Sequence, residues 1–306
     1  MNTHIDLGRL TGRVAGAPIS WGVCEVPGWG HQMPVERVLR EMSELGLAAT
    51  ELGPDGFLPE DPVGASTELS VAGLTCVGGF VPVVLHADGP ADGGPGDAVT
   101  EGVRARLAHF TALSAGTLVL AADTGLTGYD TRPTLDEDGW KRLLARLDLV
   151  AGVAAETDIT ATLHPHVGTM VETADDVSRV LGGCGIGLCL DTGHLLIGGA
   201  DPVALAQQYP QRIAHVHLKD VDAALAARVR GGEITYTDAV KAGLYQPLGR
   251  GDVDIAAIVT ALEGAGYTGW YVLEQDTVLH EDPAPGDGPL HDVATSLAFL
   301  ASVVAE

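Results

Sequence analysis

Short apolar runs alternate with amphipathic stretches along nearly the whole chain, and this alternation limits the possible folds more than any other feature. The apolar runs cover residues 17–22, 48–52, 75–81, 117–122, 159–163, 186–191, 213–218 and 270–274. Helical patterns fill the spaces between them, at 34–45, 66–72, 98–114, 136–156, 174–181, from Asp201-Pro202 onward, at 255–265 and at 290–304. In 136–156, Leu143, Leu144, Leu147 and Val150 fall on one face, as a half-buried helix requires. Thr173 predicts an N-cap, with Asp175 and Asp176 placed where the helix dipole favours them. Residues 87–97 are rich in Gly, Pro and Asp and predict a loop. Strand, helix, strand in regular succession predicts parallel pairing through helical crossovers. Eight such units in 306 residues predict an α/β fold, a (β/α)8 TIM barrel forming one domain over 1–306.

Composition excludes several partners. The formal net charge is −24. A surface this acidic repels phosphate backbones and anionic membranes, so neither nucleic acid nor membrane is an expected partner. No apolar run is long enough to span a bilayer and no leader pattern opens the chain, which predicts a cytoplasmic protein. The cysteines Cys24, Cys76, Cys184 and Cys189 form no C-x-x-C pair. Cys76 and Cys189 lie in strand-like runs and read as small buried hydrophobes. No Gly-x-Gly-x-x-Gly follows the first strand, so a dinucleotide fold is not supported.

Four consecutive strand ends carry metal-ligand chemistry. They read His164-Pro165-His166, Asp191-Thr192-Gly193-His194, His215-Val216-His217-Leu218-Lys219-Asp220 and Glu274-Gln275-Asp276. In an α/β barrel such ends meet at one mouth. Asp191, His217 and Glu274 can therefore share a divalent metal, with His164 as a fourth contact. Carboxylate and imidazole donors suit Mn²⁺ or Co²⁺ first, then Zn²⁺, Fe²⁺ or Mg²⁺. By strand alternation His215, His217 and Lys219 face the same side. Lys219 then either takes part in the chemistry or pairs with Asp220 on the rim. Expected substrate contacts are Glu51, Trp21, His166, His215 and Arg250; Trp29, His31 and Cys24 lie in or near the first βα loop.

These motifs resemble the xylose isomerase-like TIM-barrel superfamily of sugar isomerases and epimerases. The likeness rests on Ala17-Pro-Ile-Ser-Trp-Gly, Glu51-Leu-Gly, His164-Pro-His-Val-Gly-Thr, Leu190-Asp-Thr-Gly-His, His215-Val-His-Leu-Lys-Asp, Pro247-Leu-Gly-Arg-Gly-Asp-Val-Asp and Gly269-Trp-Tyr-Val-Leu-Glu-Gln-Asp. It covers nearly the whole chain, and within the superfamily it is nearest to the inosose dehydratases. The resemblance implies metal ligation by Asp191, His217 and Glu274. The superfamily's strand-five Glu is replaced by His164, which argues against a symmetric two-carboxylate epimerase. The opening Ala-Pro-Ile-Ser-Trp-Gly-Val-Cys-Glu also departs from the Asn- and Asp-rich loop of the inosose dehydratases.

The implied reaction is loss of water from a cyclic polyhydroxy ketone such as 2-keto-myo-inositol. Glu274 or His164 would remove the proton beside the carbonyl, and His194 or Lys219 would protonate the leaving hydroxyl. The alternative is an isomerase or epimerase acting on a sugar or inosose through the shared enediolate. Expected partners are a small polyol or sugar substrate and a second copy of the chain in a homo-oligomer.

Overall fold

The computed structural model describes residues 5–87 and 97–305. The expected loop at 87–97 thus falls almost wholly outside the described residues. Seven barrel strands come first: β1 (Val14–Gly16), β2 (Ala49–Glu51), β3 (Thr75–Val83), β4 (Thr117–Ala122), β5 (Thr160–Leu163), β6 (Gly187–Asp191) and β7 (Ile213–Leu218). A two-stranded sheet, β8 (Asp220–Val221) with β9 (Tyr245–Gln246), interrupts the pattern. The strand β10 (Tyr271–Leu273) then closes the barrel between β7 and β1. All barrel pairs are parallel, so every strand ends at the same mouth.

The helices are α1 (Val35–Glu44), α2 (Pro62–Val71), α3 (Ala98–Ala112), α4 (Glu137–Ala155), α5 (Ala174–Gly183), α6 (Thr192–Ile197), α7 (Pro202–Gln208), α8 (Ala223–Arg230), α9 (Tyr236–Lys241), α10 (Ile255–Gly264) and α11 (Pro289–Ala305). Part of the acidity has a local cause. Asp61, Asp97, Asp136, Asp191, Asp201, Asp222 and Asp254 are all N-caps whose carboxylates accept from the first helical turn. Such caps contribute about 0.5–2 kcal/mol each. Thr173 caps α5 in a full capping box with Asp176. Leu143, Leu147 and Val150 of α4 are buried against the sheet, and fully burying such a side chain contributes about 1.5–3 kcal/mol.

The first strand lies earlier than its apolar run implies. Pairing with β10 runs from Val14 to Gly16, and Pro18–Trp21 forms a 3₁₀ turn instead. Pro18 has no N–H for a ladder and sits at the start of that turn. Gly22, at φ 76°, closes it. Sequence pattern also missed α6, because six residues are too few to show a period.

Candidate metal centre and substrate cavity

Two strand irregularities set the site. Between Leu188 and Cys189 the β6–β7 register shifts, so Cys189 faces His215 and Asp191 faces His217 across the ladder. A second shift, between Thr50 and Glu51, pairs Glu51 with Gly78. A Cβ on Gly78 would collide with the Thr117 carbonyl oxygen, so glycine is needed for that close approach.

His217 is the hub. Its Nε2 lies 3.0 Å from Glu51 Oε1, which also binds His215 Nε2 at 2.8 Å. Glu51 can only accept, so His217 carries its proton on Nε2 and turns the Nδ1 lone pair inward. That Nδ1 is buried and makes no hydrogen bond of acceptable geometry, although Glu274 Oε2 is 3.1 Å away and Asp191 Oδ2 3.6 Å. Ligand atoms of Asp191, His217 and Glu274 all lie within 4.8 Å of one another. An orphaned imidazole nitrogen between two carboxylates, its far nitrogen fixed by a third, fits a divalent ion. Burial alone would push the His217 pKa down, but the negative groups around it, among them Glu274 and Glu51, raise it.

Asp191 is fully buried. Its Oδ1 caps α6 at the His194 N–H (2.8 Å), and its Oδ2 lies 3.0 Å from His164 Nε2. Burial opposes its ionisation, yet Lys219, His194 and the hydrogen bonds outweigh burial and hold it well below the carboxylate range. His164 keeps its other nitrogen, Nδ1, without a partner. Burial lowers its pKa despite Asp191, so it is neutral at neutral pH.

Lys219 does not pair with Asp220, contrary to the rim alternative. Its Nζ lies 2.7 Å from Asp276 Oδ1, 3.0 Å from Glu274 Oε2 and 3.1 Å from His194 Nε2. Asp220 instead accepts from the backbone N–H groups of Val221, Gly249, Gly251 and Val253 at 2.9–3.0 Å, which folds the Pro247-Leu-Gly-Arg-Gly-Asp loop.

A cavity of about 350 Å³ opens over these groups. Glu51, His164, His166, His217, Lys219, Glu274 and Asp276 border it. Phe80, Tyr129 and Tyr236 add an aromatic wall, with the Tyr129 ring tilted against His166, centroids 4.3 Å apart. His194 and His215 lie behind the cavity: His194 packs at a tilt on His166, ring centroids 3.7 Å apart, and touches Lys219, and His215 supports Glu51.

Three expected substrate contacts need correcting: His215 lies behind the cavity against Glu51, and two others lie elsewhere. Trp21 is fully buried in the core, where its Nε1 donates to Glu41 Oε2 at 2.8 Å, because the 3₁₀ turn points it away from the mouth. Arg250 is exposed on the Asp220-organised loop and does not border the cavity. Asp276, Tyr236, Tyr129 and Phe80 are among the cavity residues given no role by the sequence. Asp276 lies two residues past Glu274 and was open to the same strand-end argument. The two tyrosines sit in segments without any local signal.

A model of the xylose isomerase-like TIM barrel family matches residues 39–302. The chain belongs to that family. Among curated relatives, the rhizopine catabolism protein MocC of Rhizobium meliloti is 34% identical over 273 residues, covering 86% of this chain and 81% of that protein. The inosose dehydratase of Geobacillus thermodenitrificans is 29% identical over 278 residues, covering 88% and 89%. In structure the chain is similar to L-ribulose 3-epimerase (TM-score 0.67, 18% identity, 96% and 94% covered) and to a zinc-bound IOLI protein (TM-score 0.64, 14% identity, 95% and 97% covered). At those identities the structural likeness speaks for the barrel alone. Among the described residues no helix is long and apolar enough to cross a membrane.

Proposed function

We propose that this chain is a divalent-metal-dependent lyase that removes water from a neutral cyclic polyhydroxy ketone such as 2-keto-myo-inositol. One observation carries the reading: the proton-handling groups on the cavity wall are chemically unlike. One is a neutral imidazole, His164, with an unpartnered Nδ1; the other is an ammonium, Lys219. Elimination needs a base at one carbon and an acid at the next, whereas two-sided epimerisation needs a matched pair. Relatives named inosose dehydratases, aligned over most of the chain, support the same reading.

Asp191, His217 and Glu274 would hold the ion, and Glu51 would orient His217. A divalent ion there supplies electrophilic polarisation of a substrate carbonyl. His164 Nδ1 takes the proton from the carbon beside the carbonyl. The electron pair left behind forms the C=C bond as the C–O bond to the neighbouring hydroxyl breaks. Lys219 delivers a proton to that oxygen, which departs as water. The aromatic wall packs on the apolar face of the ring and keeps solvent out. Arg106 is the one guanidinium bordering the cavity among the described residues, and Asp55 already engages it at 2.7 Å. That pairing fits a neutral substrate better than a phosphorylated one, which needs free donors.

The test is incubation of the protein with 2-keto-myo-inositol and Mn²⁺, followed by mass spectrometry. Loss of one water is the expected result. A product of unchanged mass would establish the isomerase alternative instead.

A further inference from the structure

The segment between β7 and α10 is more than a long connection. It leaves the barrel through β8, runs through α8 and α9, and returns through β9. Asp220 pins both of its ends through the four backbone N–H groups described above. Its α9 end is tied across the mouth by the Thr237 N–H, which donates to Asp130 Oδ1 at 3.0 Å. So mounted, it carries Tyr236 and Tyr245 into the barrel mouth, both buried.

There they close a ring of polar groups. Lys219 Nζ donates to His194 Nε2 at 3.1 Å. An ammonium cannot accept, so His194 carries its proton on Nδ1, which lies 3.4 Å from Tyr245 Oη; the Val167 amide at 3.4 Å from the same nitrogen is then only a contact. Tyr245 Oη is 3.0 Å from Tyr236 Oη. Tyr236 donates to Asp276 Oδ2 at 2.6 Å. The other oxygen of Asp276 accepts from Lys219 at 2.7 Å. Two Lys219 protons are thus held within the ring, and Glu274 Oε2 lies 3.0 Å from the same nitrogen as an ion-pair partner. Lys219 is 2% exposed, yet four rotatable bonds would let an unheld side chain swing.

We propose that Tyr236 is a positioning residue: through Asp276 it holds the Lys219 ammonium at the point on the cavity wall where a leaving hydroxyl must be met. The function of the β7–α10 excursion is to supply that hold. This rests on the reading of Lys219 as the acid of the elimination, but the placement of the ammonium can be measured without substrate.

The chain contains three lysines, Lys141, Lys219 and Lys241. Protein labelled with ¹⁵N-lysine therefore gives three side-chain ammonium signals, and Lys141 and Lys241 on the surface serve as internal references. Lys219 protons should exchange with water far more slowly than the other two. In Tyr236→Phe, Lys219 exchange should accelerate by about tenfold or more, the scale set by losing one hydrogen bond to a charged group. On the substrate that the wild type turns over, the same variant should lose about 10–100-fold in kcat with KM within about twofold, since the lost interaction acts on the transition state. Tyr245→Phe keeps the Tyr236–Asp276 bond and should shift both readouts in the same direction by less, and it replaces Tyr236→Phe if that variant does not fold. Unchanged Lys219 exchange in the folded variants overturns the proposal. So does unchanged kcat despite faster exchange. If the wild type does not dehydrate 2-keto-myo-inositol, the proposed function fails while the exchange measurement still decides whether the ring holds Lys219.

Discussion

Glu51→Gln isolates the charge beneath the metal centre while keeping its shape. Glu51 is 3% exposed and accepts from two imidazoles at 2.8 and 3.0 Å. Replacing a carboxylate by an amide turns two charge-assisted bonds into neutral ones, from about 1.5–3 to about 0.5–1.5 kcal/mol each, for a net loss of about 2–3 kcal/mol. Unfolding entropy is about 2.1 cal/mol/K per residue. For 306 residues that gives about 1.6 °C per kcal/mol, so Tm should fall by about 3–5 °C. The second effect falls on the metal. Without an anion behind Nε2, His217 is a weaker donor at Nδ1, and loss of such a partner lowers affinity by about 10–100-fold. Thermal melts without metal, followed by Mn²⁺ titration of the same samples, measure the two separately. A variant with unchanged metal-free Tm and unchanged affinity would refute the claim that Glu51 orients His217.

Asp191→Ala should abolish stoichiometric metal retention, read by elemental analysis; full retention would remove Asp191 from the ligand set. His164→Gln should lower kcat by about 10²–10⁴-fold with metal still bound, and near-normal turnover would transfer the base role to Glu274. Asp176 is held below its ordinary pKa: burial opposes ionisation, but Thr173 of the capping box and Arg132 outweigh it. A depressed folded pKa adds stability above the unfolded value of about 3.9 and loses it as pH falls through the folded one. The urea midpoint of Asp176→Asn should therefore lie below the wild type at pH 7, with the gap narrowing as pH falls below about 4. Gly168 has φ 75°, and a Cβ there would strike the Tyr129 backbone. Gly168→Ala should cost about 1–3 kcal/mol in denaturant unfolding and raise KM, because Tyr129 moves off the cavity wall.

Much of this protein is legible in its sequence because the relevant signals are local. Periodicity marks the strands and most helices, since a strand or helix must bury a face that repeats every two or about 3.6 residues. The strand-end motifs name Asp191, His217 and Glu274, because parallel strands all deliver their last residues to one mouth. Three things are not local, and only the tertiary structure decided them. The register shifts in β2 and β6 place Glu51 beneath His217 and Asp191 beside it, and a bulge depends on what the neighbouring strand requires. Trp21 went to the core because the Pro18 turn ended β1 early, a choice made by pairing with β10. The partner of Lys219 turned out to be Asp276 rather than its neighbour Asp220, and the tyrosines that complete the ring come from a segment with no motif. A side chain's neighbours in sequence are fixed by covalent bonds, but its neighbours in a barrel mouth are fixed by where eight strands end, and that is a property of the closed sheet.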